Sequence, residues 1–140
     1  MFSPSRDDVR LFFCTTYRKL HERLPLDGAE VLAATVIEQH PELHALLADR
    51  EAAQQADAGT GAAQPFLHLS LHLAIAEQLS IDQPPGIRAL HGKLCARLDA
   101  HDAEHRLIDC LAETIWQAQR DGTAPDGEAY LERLRRSASA

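Results

Sequence analysis

The sequence predicts an all-α fold, a single-domain helical bundle of about five to six helices. Three observations support this class. Apolar residues recur at three- and four-residue spacing in every apolar segment, which is the period of an α-helix. Proline and glycine stand at the ends of these segments, where they mark turns. There is almost no segment with the alternation of apolar and polar residues that is typical of a strand.

The composition is that of a soluble globular protein. A chain of 140 residues is the usual size of one domain and is long enough to bury a core. Its hydrophobic and charged fractions, 45% and 25%, are ordinary for this class. The net charge of −7 argues against nucleic acid or an anionic membrane as the main partner. We therefore expect the protein to bind neither.

The cysteines and the N-terminus predict a cytoplasmic protein. Cys14, Cys95 and Cys110 are odd in number and form no C-x-x-C pair, which fits reduced thiols better than a disulfide framework. The first residues lack a basic region followed by an apolar stretch, so no signal peptide is expected. The longest apolar run, around 66–76, is interrupted by polar residues and falls short of a membrane span.

Two helices are expected in the first 40 residues. Ser3-Pro4 has the form of an N-cap followed by proline at the first helical position, and helical spacing then continues until Pro25. Asp27, with Glu30 three residues later, resembles a capping box. It predicts a second helix that runs to about residue 39.

A proline and a polar segment follow the second helix. Pro41 disfavours helical geometry at His40, so the chain should break or kink there, and a short helix should run from Pro41 to about Ala48. Residues 49–64 contain no large apolar side chain, and their second half is rich in glycine, so we expect a flexible loop near 49–64. A linker between two domains is the alternative. Neither half is expected to close a core alone, so 1–140 is interpreted as one domain.

The rest of the chain is expected to be helical as well. The segment from Phe66 to about Leu79 is apolar on nearly every side, which is typical of a central, buried helix. The longest predicted helix ends near Arg120, because Gly122 suits the position after a helix end. The expected bounds are 66 to about 79, about 87 to 98, about 100 to 120, and a short final helix that begins after Asp126.

Six of the eight histidines form three pairs with four-residue spacing. Random placement would give about 0.4 such pairs, when pairs are matched to the helical period. Residues i and i+4 share one helix face, so two imidazoles so placed can reach one metal ion. The pairs are His40/His44, His68/His72 and His101/His105.

Two of these pairs predict a buried metal site. His101 and His105 extend the apolar stripe of the longest helix, and His68 and His72 extend a similar stripe of the central helix. An unpaired buried imidazole costs about 1–3 kcal/mol, and a shared metal ion would satisfy several at once. The alternative is that each is a core histidine satisfied by hydrogen bonds, or a surface residue.

The remaining histidines are less clearly placed. His40 and His44 are candidate additional ligands, but Pro41 lies between them, so His40 could instead be an N-cap and His44 an exposed residue. His21 and His91 are isolated in sequence, and we expect them to be structural.

Three carboxylates could act as ligands or hold the imidazoles in place from a second shell. Glu104 and Asp109 flank the two sides of the histidine stripe on the longest helix, while Glu113 is rotated by roughly 80° from His105. Glu104 and Asp109 are therefore better candidates than Glu113. The alternative for all three is the charged, solvent-facing edge of an amphipathic helix.

The balance of residue types limits the kind of metal site. A di-iron or di-manganese site needs several bridging glutamates, whereas this chain is rich in histidine and poor in inward-facing glutamate. A mononuclear zinc, iron or nickel site with three or four imidazoles fits better. An open coordination position would permit a metal-dependent hydrolase or oxidoreductase, and a closed site would be structural. Non-covalent haem with two axial histidines is a third option.

The competing interpretation is a non-enzymatic interaction module. No nucleophile, phosphate loop or acid/base dyad stands out in the sequence, and the substrate of an enzyme cannot be named from it. A pH sensor is a variant of this idea, because protonation of all eight histidines would move the formal charge from −7 to +1. A monomer or a homodimer is expected in either case.

Five blocks of the sequence, together with Met-Phe-x-Pro-Ser-Arg at its start, resemble a bacterial family designated domain of unknown function 1841. The blocks are Glu38–His44, Pro65–His72, Glu77–Gly86, His101–His105 and Trp116–Arg120. The resemblance covers nearly the whole chain. It implies a small stand-alone bacterial protein, and it implies no activity.

A looser likeness is to haemerythrin-type bundles, which bind two irons with histidines and bridging carboxylates. His68-x-x-x-His72 matches one element of that pattern. His105 to Asp109 is one residue too short for the pattern's His-x-x-x-x-Asp helix. The likeness therefore serves only as an analogy for how helices supply metal ligands.

Overall fold

Every regular element in residues 6–55 and 65–139, the part of the chain that the computed structural model describes, is a helix. The α-helices are α1 (Arg6–His21), α2 (Gly28–Glu38), α3 (His44–Ala48), α4 (Arg50–Gln55), α5 (Pro65–Ile81), α6 (Ile87–Cys95), α7 (Ala100–Asp121) and α8 (Gly127–Ser139). A short 3-10 helix, Pro41–Leu43, precedes α3. The all-α prediction is confirmed. Eight helices exceed the predicted five to six, partly because the segment 41–55 forms two helices where one was expected.

Helix α1 ends three residues before the predicted end of its apolar spacing. Its predicted start at Ser3-Pro4 lies outside the described residues. At its C-terminus Arg23 has a positive φ of 57° and turns the chain. The backbone N–H of Leu24 then donates back to the carbonyl of Lys19 at 2.8 Å, which satisfies a carbonyl that the helix leaves open.

The predicted capping box at the start of α2 is confirmed. The backbone N–H of Asp27 donates to Oε1 of Glu30 at 2.9 Å. The Lys19 ammonium on α1 donates to the same oxygen, also at 2.9 Å. These donors hold the pKa of Glu30 below its ordinary value, the Asp27 backbone hydrogen bond most and Lys19 next. The carboxylate therefore caps α2 and ties it to α1.

We expect Glu30→Gln to remove part of the pH dependence of stability. A depressed pKa means that the Glu30 carboxylate stabilises the folded state above the unfolded-state pKa of about 4.3, and that this contribution is lost as the pH falls through the folded-state value. Wild type should thus be more stable than Glu30→Gln at pH 6, and the two should converge near pH 3. Urea unfolding at both pH values measures this, with Glu22→Gln, an exposed carboxylate paired with Arg18, as the control. A difference that is equal at both pH values would contradict the expectation.

Half of the segment that was expected to be a flexible loop contains a helix. Asp49 is extended, with φ −115° and ψ 97°, and separates α3 from α4. Its side chain accepts a hydrogen bond from the backbone N–H of Ala52 at 3.1 Å, as an N-cap does. Helix α4 occupies Arg50–Gln55. Residues 56–64, the other half of the expected loop, lie outside the described residues.

The chain divides into two compact units, Met1–Leu73 and Ala74–Ala140. In the first unit α1 packs against α2, α3 and α4, and in the second α6, α7 and α8 pack against one another. The division falls inside α5 and not in segment 49–64, where a linker would have been expected. The buried core of the first unit is Phe13, Cys14, Ala33, Val36, Ile37, Leu47, Ala53, Phe66 and Leu69. Buried apolar residues of the second unit include Ile75, Ile87, Leu90, Leu94, Leu107, Leu111, Leu131 and Leu134.

Both ends of α7 follow local sequence signals. The Asp99 side chain accepts a hydrogen bond from the backbone N–H of Asp102 at 2.8 Å, so the helix begins at Ala100. Gly122 adopts a left-handed φ of 68° at the C-terminal end, as predicted from its position. None of the helices among the described residues combines the length and the apolar character needed to cross a bilayer.

Candidate metal centre

His40 is held at the end of α2 by its neighbours in sequence. Pro41 disfavours continuation of the helix, and His40 takes φ −126° and ψ 62°, outside the helical region. Its buried ring turns back onto α2, where Nδ1 lies 2.7 Å from the carbonyl oxygen of Val36. A carbonyl oxygen only accepts, so Nδ1–H donates, and Nε2 carries the lone pair that a metal ion would bind. A backbone carbonyl is a common support of metal-ligating histidines.

Three imidazoles of the first unit pack edge to face. His68 and His72 lie one turn apart on α5, with ring centroids 4.7 Å apart. The His40 ring lies 5.0 Å from that of His68 and 4.6 Å from that of His72. His72 is fully buried and His68 half-buried. The pair of histidines on α5 therefore contacts a third histidine, His40, that is distant in sequence.

In the second unit, His101 and His105 lie in the first two turns of α7. Their ring centroids are 4.4 Å apart, and both side chains are half-buried. The Asp99 cap starts the helix at Ala100, so both residues are helical, and the helical period places them on one face with Ile108. The predicted pairing along α7 is thus present.

Each unit thus brings together imidazoles that could bind a metal ion. His40 and His72, in the first unit, are buried, and His101 and His105, in the second, are half-buried. Imidazoles suit zinc, iron, nickel and copper, whereas calcium and magnesium require oxygen ligands.

Two further histidines that were predicted as ligands lie in the first unit. His68 packs against His40 and His72. His44 is half-buried, with Nε2 at 2.8 Å from the carbonyl oxygen of Ile37 and its ring 5.2 Å from that of Tyr17. Sequence analysis gave His68 more weight than His40, and the structure brings both rings against that of His72. The signal for His40 was Pro41, which forces the preceding histidine out of the helix.

The three candidate carboxylates all lie on α7. Glu104 is half-buried, whereas Asp109 is exposed. Glu113 is exposed and pairs with Arg133, whose Nε lies 3.7 Å from Oε1 of the carboxylate. Of the three carboxylates considered from the sequence, Glu113 therefore has Arg133 as its partner. Asp109 fits the charged, solvent-facing edge of an amphipathic helix.

Comparison with models of protein families gives a match over most of the chain. The profile of the family described as Domain of unknown function (DUF1841) matches residues 5–136. No curated protein and no solved structure matches the chain. The analogy with haemerythrin-type bundles is therefore not confirmed.

Proposed function

The chain belongs to the family described as domain of unknown function 1841, and from this premise we propose that it is a transition-metal-binding protein whose ion is bound by His40, His72, His101 and His105. The observation that carries the proposal is that each unit brings two imidazoles together, with ring centroids 4.6 Å apart for His40 and His72 and 4.4 Å apart for His101 and His105. The family description supplies no activity, so the proposal rests on the chemistry of the residues.

The imidazole-only set favours a mononuclear ion of zinc, iron or nickel. Neutral imidazole binds all three metals, and Zn–N bonds of about 2.0–2.1 Å separate the ligand atoms of a tetrahedral site by about 3.4 Å. A dinuclear site would need bridging carboxylates, and the four proposed ligands include none.

The number of bound imidazoles decides the role of the ion. Four imidazoles complete a tetrahedral shell and make the site structural, so that metal binding stabilises the fold. Three leave a position for water, which a metal-dependent hydrolase or oxidoreductase requires. Cobalt(II) substitution separates the two cases, because an added anion such as azide can replace a bound water and change the visible absorption of cobalt, whereas a shell of four imidazoles leaves no position for the anion.

Elemental analysis of purified protein tests the proposal. The protein should be expressed without a histidine tag and purified without chelator. We expect about one equivalent of zinc, iron or nickel per chain, and a lower melting temperature after chelation that recovers when the metal is restored. Absence of tight binding of all three metals, together with an unchanged melting temperature after chelation, would refute it.

A second candidate function is a non-enzymatic module in which the histidines form a hydrogen-bonded network. The contact of His40 Nδ1 with the Val36 carbonyl and the packing of three rings in the first unit favour it. In this case the histidines stabilise the fold directly, and chelators have no effect. The elemental analysis and melting experiment therefore distinguish the two functions.

A further inference from the structure

Helices α1, α3 and α4 line a cleft in the first unit, away from the proposed metal ligands. Its volume is about 390 Å³, within the range of about 300–1,000 Å³ that is usual for small-molecule sites. Cys14 and Leu47 contribute buried surface to the lining, and Tyr17 contributes a half-buried aromatic ring. The lining is therefore mostly apolar, as a site for an organic ligand requires.

Two arginines and one glutamate line the same cleft, and their charges do not cancel. Arg18 pairs with Glu22, with Nη1 at 3.6 Å from Oε2 of the carboxylate. The Arg50 side chain has no hydrogen bond or ion pair in the part of the chain that the structure describes. Burial raises the pKa of the Cys14 thiol most, and the positive charge of Arg50 acts in the opposite direction. The guanidinium is therefore close enough to the apolar lining to act on a group within it.

The stability of α4 does not explain the position of Arg50. It is the first residue of that helix, where a cation opposes the helix dipole. The preceding residue, Asp49, caps the helix instead, because its carboxylate accepts the backbone N–H of Ala52. The guanidinium is also exposed, so an anion from solution can reach it.

We propose that this cleft binds a small organic monocarboxylate with an apolar, ring-sized body. The forked N–H donors of Arg50 match the two oxygens of a carboxylate, and the apolar body packs against the lining that includes Tyr17 and Leu47. A neutral ligand would leave the guanidinium without an ion-pair partner, and a dianion would carry more charge than the lining compensates. The site contains none of the proposed metal ligands, so it goes beyond the proposed function.

Titration of the purified, untagged protein with 2-naphthoate, followed by amide NMR spectra, tests the proposal. We expect saturable shifts of the signals of Cys14, Tyr17 and Leu47. The amide 2-naphthamide has the same ring and no charge, and it should bind about tenfold more weakly, because a hydrogen bond between two charged groups contributes more than one to a neutral group. Shifts confined to the signals of the proposed metal ligands would show that the acid binds the metal ion instead, and would overturn the proposal.

Three variants test the roles of the charge and of the cleft. Arg50→Met should weaken 2-naphthoate binding about tenfold and remove its advantage over the amide. Arg136→Met, a matched change of an exposed arginine on α8, should leave the affinity unchanged. Ala48→Trp, which adds a ring at an exposed position of the lining, should abolish binding of both compounds.

All three variants change exposed side chains, so their melting temperatures should report an intact fold. Equal wild-type affinities for the acid and the amide, or an unchanged affinity for the acid in Arg50→Met, would overturn the proposal. Absence of saturable binding of 2-naphthoate to wild type at about 1 mM would do the same.

Discussion

Replacement of His72 by alanine should lower the affinity of the protein for its metal ion at least a hundredfold. Loss of a supporting residue outside the ligand shell typically costs about 10- to 100-fold, and loss of a ligand should cost at least the upper end of that range. His72 is fully buried, and its ring lies 4.6 Å from that of His40. Calorimetric titration of the metal-free protein with zinc measures the affinity.

Three further variants separate a lost ligand from a damaged fold. His105→Ala removes a half-buried proposed ligand and should weaken binding similarly with less effect on the metal-free protein. His44→Ala should retain wild-type affinity, because its Nε2 contacts the Ile37 carbonyl and it is not one of the four proposed ligands. His21→Ala serves as an exposed control. Equal affinities in wild type, His72→Ala and His105→Ala would contradict the assignment of ligands.

Removal of the Arg10 side chain should be the most destabilising single change in the first unit. Only 1% of Arg10 is exposed, and its Nη1 donates to the carbonyl oxygens of Ala53 at 2.6 Å and of Gln54 at 3.4 Å. These are among the last carbonyls of α4, which the helix itself leaves without donors. The guanidinium also lies 5.0 Å from the centre of the Phe66 ring. One side chain of α1 thus supports the end of α4 and the start of α5.

We expect Arg10→Ala to lower the free energy of unfolding by about 3 kcal/mol, which combines a lost charge-assisted hydrogen bond with the cavity left behind. The melting temperature should fall by about 10 °C. Removal of the buried charge also removes its desolvation penalty, which offsets part of this cost. Arg10→Met fills the space without a charge, so it should lose less free energy of unfolding than Arg10→Ala. Arg18→Ala, on the same helix but exposed, should change stability little. A melting temperature of Arg10→Ala close to that of wild type would show that the buried guanidinium contributes nothing.

The features that the sequence predicted correctly depend on residues close together in the chain. The capping box of Asp27 and Glu30 involves groups three residues apart, and the left-handed turn at Gly122 involves one residue. The four-residue histidine spacing on α5 and α7 required only the helical period. In each case the backbone geometry of a single helix is sufficient to bring the groups together.

The features that the sequence indicated weakly or not at all depend on contacts between distant segments. His40 meets His72 across 32 positions of the chain, and Arg10 meets Ala53 across 43. No local periodicity indicates either pair, because each contact is made only when α2 and α4 pack beside their neighbours. For this reason sequence analysis gave His40 less weight than His68, although the rings of both contact that of His72.

The sequence by itself therefore determined the helices, their caps and the residues that could supply a metal site, since these follow from hydrogen bonds and side-chain directions within about one helical turn. Tertiary structure decided that the ring of His40 meets those of His68 and His72 in the first unit. Burial and proximity between helices arise from the packing of whole apolar faces, and that packing depends on residues far apart in the chain.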